Sequence, residues 1–323
     1  MSRVSTQMED VFSEEAQAKS PNVVGAELAR LADVRPDVIV VSADMGAALG
    51  ELRERHPDRY IDLGIAETNT ISVAAGLAAT GWRVYVVSMA PFGLLKCAEQ
   101  IRTDLAATML PVRIVTRLSG LAMGFFGVSH HGIEDLAIGR SITNLSMCAP
   151  SDALSTLGLL RSTVELDGPL VVRVSEGVSR PVYDAVPSIS PGRSVWLREG
   201  SDVTVIATGV GVAAALDAAE ELAGEGIAAG VLDAAWIKPF DEQAVVEAAR
   251  RSDALLTVEE HHVHGGLGTL VAEVLGRHGI SARLDVLALP DEDLEVGVPA
   301  ALLERYGLTG RGVAERVRKL AAG

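Results

Sequence analysis

Glu67 stands at the end of Asp62 to Glu67, directly before the small-residue stretch Thr70 to Ala79. A carboxylate at the mouth of an Ala/Gly-rich helix is poorly hydrated and needs a specific partner. The plainer alternative is a helix-start acid resting on the helix dipole. His130 and His131 lie side by side in a loop that runs from Gly127 through Gly132 to Asp135. A loop histidine suits proton transfer, because its unperturbed titration lies near neutral pH. The pair does not read as a zinc site, since neighbours rarely bind one ion together and no Cys/His set completes it. Phe92, in Ser88 to Phe92, can stack on a planar heterocycle or pack in the core. Asp44 follows an apolar strand and could meet a ligand or cap its own loop.

These residues need elements that hold them. Val38 to Val41 is a run of β-branched residues, the pattern of a buried parallel strand. Short strands are expected at 59–63, 84–87, 111–115 and 170–174, and a helix from Pro91 to Thr108. Ser20 and Pro21 have the chemistry of a helix start. Alternation of strands with helices implies a parallel sheet covered on both faces. Pro187, Ser188, Ser190, Pro191 and Gly192 read as a linker, after which the pattern restarts with strands at 202–208, 228–232 and 254–258 and helices at 213–223, 241–251 and 266–277. The expected organisation is an arm over 1–20, a first domain over 21–186, a linker over 187–200 and a second domain over 201–323. The fold class is two three-layer α/β domains with mainly parallel sheets.

Composition bounds the function. Apolar residues make up 48% of the 323, enough for two cores, and only 4% are aromatic, so Ala, Val, Leu and Gly do the packing. A net charge of −15 argues against a nucleic-acid partner, whose phosphates need a basic surface. No uncharged apolar run reaches the ~18 residues of a membrane span, and residues 1–20 lack the apolar segment of a signal peptide. Cys97 and Cys148 sit in apolar contexts and read as reduced thiols of a cytoplasmic protein.

The stretch around Glu67 resembles the transketolase family. Supporting it, in order, are Asp202 to Gly209, Trp236 to Phe240, Val258 to His261 and Gly265 to Gly268. Each motif is weak alone, and their glycines and Pro239 have a structural reading as turns and a strand end. The resemblance covers Val23 to the end and matches the pyrimidine-binding and C-terminal domains. The family's pyrophosphate-binding domain has no counterpart, and no Gly-Asp-Gly with a following Asn is present. The resemblance therefore implies one subunit of a split transketolase that uses thiamine diphosphate. Its Mg²⁺ ligands are expected on an N-terminal partner chain, with none on this one. An α2β2 heterotetramer is expected, inactive without the partner. The glutamate equivalent to Glu67 hydrogen-bonds N1′ of the cofactor's aminopyrimidine. Phe92 matches the aromatic that stacks on that ring, with Met89 replacing a second aromatic. Asp44 matches an acidic loop near the cofactor, and His130 the histidine that contacts the donor hydroxyl. His131 replaces a usual Gln, with its role open.

The departures lie on the substrate side. Glu176 stands where the family has a phosphate-binding Arg, Leu118 where it has a histidine, Ala47 or Ala48 where it has a serine, and Phe125 and Phe126 where it has an acidic pair. A carboxylate at a phosphate site reverses the sign there. Arg173 and Arg180 are expected nearby as compensating cations. The reading is transfer of a two-carbon ketol, or a related acyl carbanion unit, from a ketose-type donor to an acceptor other than an ordinary aldose phosphate, small or carrier-bound. A 2-oxoacid dehydrogenase β-type subunit or a deoxyxylulose-phosphate-synthase-like enzyme is the alternative, and a non-catalytic dimerising subunit is the rival from another class.

Overall fold

The computed structural model describes residues 23–176 and 180–322, so the arm over 1–20 and the helix start at Ser20 and Pro21 lie outside it. In chain order the strands are β1 (Val38–Ser42), β2 (Tyr60–Asp62), β3 (Arg83–Met89), β4 (Val112–Arg117), β5 (Ser146–Cys148), β6 (Leu170–Arg173), β7 (Val195–Arg198), β8 (Val203–Ala207), β9 (Ala229–Asp233), β10 (Trp236–Lys238), β11 (Ala254–His262) and β12 (Arg283–Leu289). The helices are α1 (Val23–Val34), α2 (Gly50–Arg55), α3 (Glu67–Ala79), α4 (Ala98–Gln100), α5 (Asp135–Ser141), α6 (Ala153–Ser162), α7 (Gly211–Ala223), α8 (Glu242–Arg251), α9 (Leu267–Arg277), α10 (Pro299–Arg305) and α11 (Gly310–Ala321).

The first sheet runs β10-β5-β6-β4-β3-β1-β2, parallel throughout except for β10. Its strands alternate between two cores, as successive residues of a strand must. Val84 and Val86 of β3 meet Ile71, Ala74 and Ala78 of α3. Tyr85 and Val87 face the opposite way, toward Leu28 and Leu31 of α1 and Leu159 of α6. Burying each large aliphatic side chain contributes about 1.5–3 kcal/mol, which explains why continuous apolar runs rather than alternating ones mark these strands. The second sheet runs β12-β11-β8-β9-β7, with α7 and α11 packed over one face and α8 and α9 over the other.

Three local expectations need correction. The helix expected from Pro91 to Thr108 is broken: π turns at Pro91–Leu95 and Ile101–Ala106 flank the single turn α4. A π turn adds a residue and re-aims the side chains around it. Val195–Arg198, inside the stretch read as linker, is β7 and pairs antiparallel with β9. Strand β10 crosses the boundary between the two halves, adding to the first sheet through Trp236↔Cys148 and ending before Pro239. Backbone pairing across tens of residues determines both strands, and local composition carries no record of it.

Candidate active site

In a parallel sheet all strands end on one edge, and ligands bind in the crevice outside the carboxyl ends. The loops after β1, β2, β3, β4 and β6 meet there and carry Asp44, Glu67, Phe92, the 118–132 segment and Glu176. Two non-glycine residues at this edge have left-handed backbone, Asp44 (φ 56°) after β1 and Leu118 (φ 54°) after β4. Such strain costs about 1–3 kcal/mol and collects at functional sites.

The 118–132 segment is a closed loop. Gly120 and Gly132 exchange both backbone hydrogen bonds at 2.9 Å. Gly120 has φ 67°, and a Cβ there would collide with the Glu260 carboxylate. A Cβ on Gly132 would lie 2.8 Å from the Cβ of Ala90 and 3.4 Å from Cδ of Pro91, so the loop closes directly onto the start of the Pro91–Leu95 turn. This brings the predicted aromatics together. His130 meets Phe92 edge-on, with centroids 5.2 Å apart and planes at 88°. On its other side Phe126 lies 4.6 Å away at 31°. Phe125 backs Phe126 at 4.8 Å and is buried, whereas Phe126 is 43% exposed. Ser129 Oγ and His130 Nδ1 are 2.9 Å apart. Partial burial, and then the neighbouring His131, hold the imidazole of His130 below the usual histidine range. His131 turns inward, buried, with Nε2 3.4 Å from the Gly124 carbonyl, and braces the loop instead of joining the cluster.

Glu67 opens α3 and is only 6% exposed. Lys96 Nζ donates to its Oε2 at 2.7 Å, and this contact holds the lysine above its usual range. Oε1 has no hydrogen-bond donor among the described residues. The Pro91–Leu95 turn packs against α3, and Lys96 follows that turn, so Phe92, Lys96 and Glu67 form one continuous wall. Sequence reasoning missed Lys96, although its four-residue spacing from Phe92 was a signal that both could face one site.

Met89 is half-buried, and its strand partner across β3 and β4 is Arg117. Arg117 makes a two-pronged pair with Glu176, through Nε to Oε1 and through Nη2 to Oε2 at 2.6 Å. Glu176 is therefore not a bare carboxylate reversing the sign of a phosphate site. A guanidinium already compensates it, and the like-charge argument made from sequence does not hold in that form. Arg117 was also missed; the contact spans 59 residues and follows from sheet order alone.

Asp44 is exposed, and its backbone N–H donates to Asp62 Oδ1 at 3.1 Å. Asp62 also accepts from Gly64 N–H at 2.9 Å and from the Tyr60 hydroxyl at 2.8 Å, so Asp62, not Asp44, caps the loop. The Asp44 carboxylate has no hydrogen-bond donor among the described residues.

Arg173 and Arg180 are not brought to the cluster. Arg173 is 1% exposed and donates to Asp135 Oδ2 at 2.7 Å, to the Gly132 carbonyl at 3.1 Å and to the Glu260 carbonyl at 2.9 Å. It locks β6 to the second domain. Arg180 pairs with Asp217 and with Glu220 at 2.9 Å, on α7. The motifs of the second domain meet at the same seam. Glu260 accepts from Leu121 N–H at 2.8 Å and from Ser175 Oγ at 2.9 Å. Glu259 accepts from Leu267 N–H at 2.6 Å and Gly268 N–H at 2.7 Å, and a Cβ on Gly266 would collide with it. That close approach explains the spacing of Val258 to His261 and Gly265 to Gly268 as structural. Burial pushes Glu259 up to about 7 and His261 down to about 4. Nearby, Asp233 is fully buried, with Oδ2 accepting from Ser151 Oγ at 3.0 Å and the Tyr183 hydroxyl at 2.8 Å, while Oδ1 has no partner among the described residues. Burial pushes this acid up to about 7.

A buried carboxylate with one free oxygen, beside a half-buried aromatic ring, suits a flat heterocycle with a ring nitrogen at the acid and its face toward Phe92. The two cations near these residues, Lys96 and Arg117, are each paired with a carboxylate, Glu67 and Glu176. Among the described residues no group of three or more His, Cys, Asp and Glu side chains could hold a metal ion, and no helix is long and apolar enough to cross a membrane.

Residues 17–181 match the family described as transketolase, pyrimidine binding domain, and residues 192–313 that described as transketolase, C-terminal domain. A putative transketolase C-terminal section from Methanocaldococcus jannaschii is 35% identical over 91% of this chain and 93% of its own length. The 1-deoxy-D-xylulose-5-phosphate synthase of Syntrophotalea carbinolica is 35% identical over 93% of this chain, which spans 48% of that enzyme. The chain thus spans about half the length of the curated synthases it matches. Among solved structures, a split gene transketolase described as an inactive beta4 tetramer superposes with a TM-score of 0.84 at 36% identity, covering 93% of this chain and 97% of that one.

Proposed function

The chain belongs to the transketolase family, and from that premise we propose that it is the pyrimidine-binding and C-terminal half of a thiamine-diphosphate-dependent transferase, completed by a separate chain. One observation carries the reading. The buried acid Glu67, with a free carboxylate oxygen, stands on the same wall as Phe92, and Phe92 contacts His130. When bound, thiamine diphosphate supplies the carbon nucleophile that breaks and remakes a bond beside a carbonyl. The chain's own residues do the rest. Glu67 binds the ring nitrogen and fixes its proton. Phe92 and Met89 hold the ring face, at about 1 kcal/mol beyond area burial for the aromatic contact. Asp44, with an unengaged carboxylate at the crevice rim, faces the cofactor side. His130, kept neutral near pH 7, exchanges a proton with a substrate hydroxyl. Phe126 and Phe125 shield it from water.

The diphosphate and Mg²⁺ fall to the partner, a pyrophosphate-binding chain, in an α2β2 assembly. The similar split gene transketolase is described as an inactive beta4 tetramer, and we carry to this chain the expectation that it is inactive alone. Two buried free cysteines suit a reducing, cytoplasmic setting. The transferred group is a two-carbon ketol unit. The acceptor is less polar than an aldose phosphate, or carrier-bound, because an apolar Phe126 and a self-neutralised Arg117–Glu176 pair stand where a phosphate-reading set would. Dependence of turnover on an acceptor phosphate would overturn this specificity.

Calorimetric titration of thiamine diphosphate and Mg²⁺ tests the core reading. Binding is expected with the partner chain present and absent without it; no binding to the pair would favour the non-catalytic subunit. The 35% identity to synthases over 93% of the chain favours a second reading, a donor step that begins with decarboxylation. Carbon dioxide release from a 2-oxoacid donor separates the two.

A further inference from the structure

Large apolar side chains left exposed are scattered over the described surface, but three of them gather at one glycine. Phe126 and Val128 flank Gly127 in the chain. Val296 stands over it in space, with Cγ2 3.1 Å from where a Cβ on Gly127 would lie. Gly127 has φ 74°, a left-handed conformation that disfavours a side chain, and Val296 occupies the space beside it. Val128 is 76% exposed and Val296 63%, so neither serves a core.

The second domain fixes Val296 in place. Leu294 is buried in its core, the Glu295 N–H donates to the Tyr306 hydroxyl at 2.8 Å, and the Gly297 N–H donates to the Gly124 carbonyl at 3.3 Å. Helix α10 packs against the Gly124–Phe126 turn, where a Cβ on Gly124 would collide with Leu302. An exposed valine held by backbone bonds on both sides is a formed surface, not a loose loop tip. That surface leads through Phe126 to the ring of His130. His130 Nδ1 is engaged by Ser129, and Nε2 has no hydrogen-bond partner among the described residues. A small molecule whose polar end reaches Nε2 therefore lays its other end along Phe126. Exposed carboxylates at Asp291, Glu292, Asp293 and Glu295 precede Val296, and Glu292 and Asp293 have no ion pair among the described residues. A negative rim repels a phosphate and leaves an uncharged ligand unhindered.

We propose that Phe126 and Val296 are specificity-determining residues that form, with Val128, a shelf for the acceptor. The acceptor is an uncharged carbonyl compound whose polar end meets His130 and whose alkyl or aryl end rests on the shelf. This rests on the thiamine-diphosphate reading above and names the acceptor class for that site. The second domain thereby supplies one wall of the substrate site as well as locking the seam.

The test uses the two-chain complex with thiamine diphosphate and Mg²⁺, with the valine methyls of this chain labelled for NMR. Benzyl alcohol stands in for the acceptor, and glycerol phosphate is the anionic comparison. Benzyl alcohol should shift the Val296 and Val128 methyl signals saturably and leave those of Val34, exposed before β1 at the opposite edge of the first sheet, unmoved. Glycerol phosphate should shift none of them. Read at Val128, Phe126→Ser and Val296→Ser should each weaken benzyl alcohol binding about 3- to 10-fold, and Val296→Ile should restore it, with melting temperatures unchanged. Silent methyls, an equal response to glycerol phosphate, or serine variants that bind like wild type overturn the shelf while cofactor binding by the complex leaves the underlying reading intact. Loss of association with the partner chain in Val296→Ser, read by sedimentation, also overturns it, since a protein then covers the patch. No cofactor binding by the wild-type complex overturns both.

Discussion

Glu67 and Arg173 are both charged, both buried and both anchored by an ion pair, yet they belong to opposite kinds of site. Among the described residues Arg173 has four acceptors, the Asp135 carboxylate, the Ser175 hydroxyl and the Gly132 and Glu260 carbonyls. Among the described residues Glu67 has a single donor, the half-exposed Lys96, and one oxygen is left over. Saturation makes a joint; incomplete satisfaction makes a site. The same contrast divides the histidines. His261 accepts from Ala137 N–H and contacts the His262 carbonyl deep in the seam, while His130 lies between two aromatic rings at the mouth of the crevice. Residue type alone does not distinguish the members of either pair; the number and mobility of their partners does.

The comparison can be broken most directly at Glu67. Glu67→Gln should lower turnover of the two-chain enzyme by about 10²–10⁴-fold, the usual span for losing a group that manages a proton. Assembly and melting should be nearly unchanged. A loss under tenfold would place Glu67 with the structural acids. At the seam the expectation inverts. Arg173→Met strands the buried Asp135 carboxylate and should lower unfolding free energy by about 3–5 kcal/mol in urea. A cost below about 1 kcal/mol would mean that the seam is not a saturated joint.

A subtler effect sharpens the contrast through pH. Asp233 titrates at about 7 in the folded chain against an ordinary 3.8, because it is fully buried. The folded chain therefore keeps a proton across that window that the unfolded chain has lost. Stability from this group is complete below pH 3.8 and declines as the pH rises to 7, by no more than a few kcal/mol. Asp233→Asn should remove that decline, since an amide can stand where the protonated Oδ1 stands. Parallel stability curves for the two proteins from pH 4 to 7 would show that Asp233 is ionised throughout.

Much of the fold was legible in the chain. The β-branched run at Val38 to Val41 and the Ala/Gly-rich helix after Glu67 became buried elements because their local pattern and their tertiary environment agree. A strand ending at Pro239 was legible, but the sheet that β10 joins and the existence of β7 were not, because distant partners decide both. On the candidate site, Phe92, His130 and Phe126 were chosen from sequence and do meet. Lys96 and Arg117 were overlooked, while Arg173 and Arg180, expected near the substrate, pair with Asp135 and with Asp217 and Glu220, and His131, whose role was left open, braces the loop.

Continuous apolar runs, the alternation of strands with helices and glycine spacing were enough to determine two mainly parallel α/β domains, since these follow from short-range sterics and burial. Which charges sit unpaired at the carboxyl edge of the first sheet was decided only by tertiary structure. A guanidinium carries the same charge at position 117, 173 or 180, and sheet order and domain packing alone determine which carboxylate each one meets.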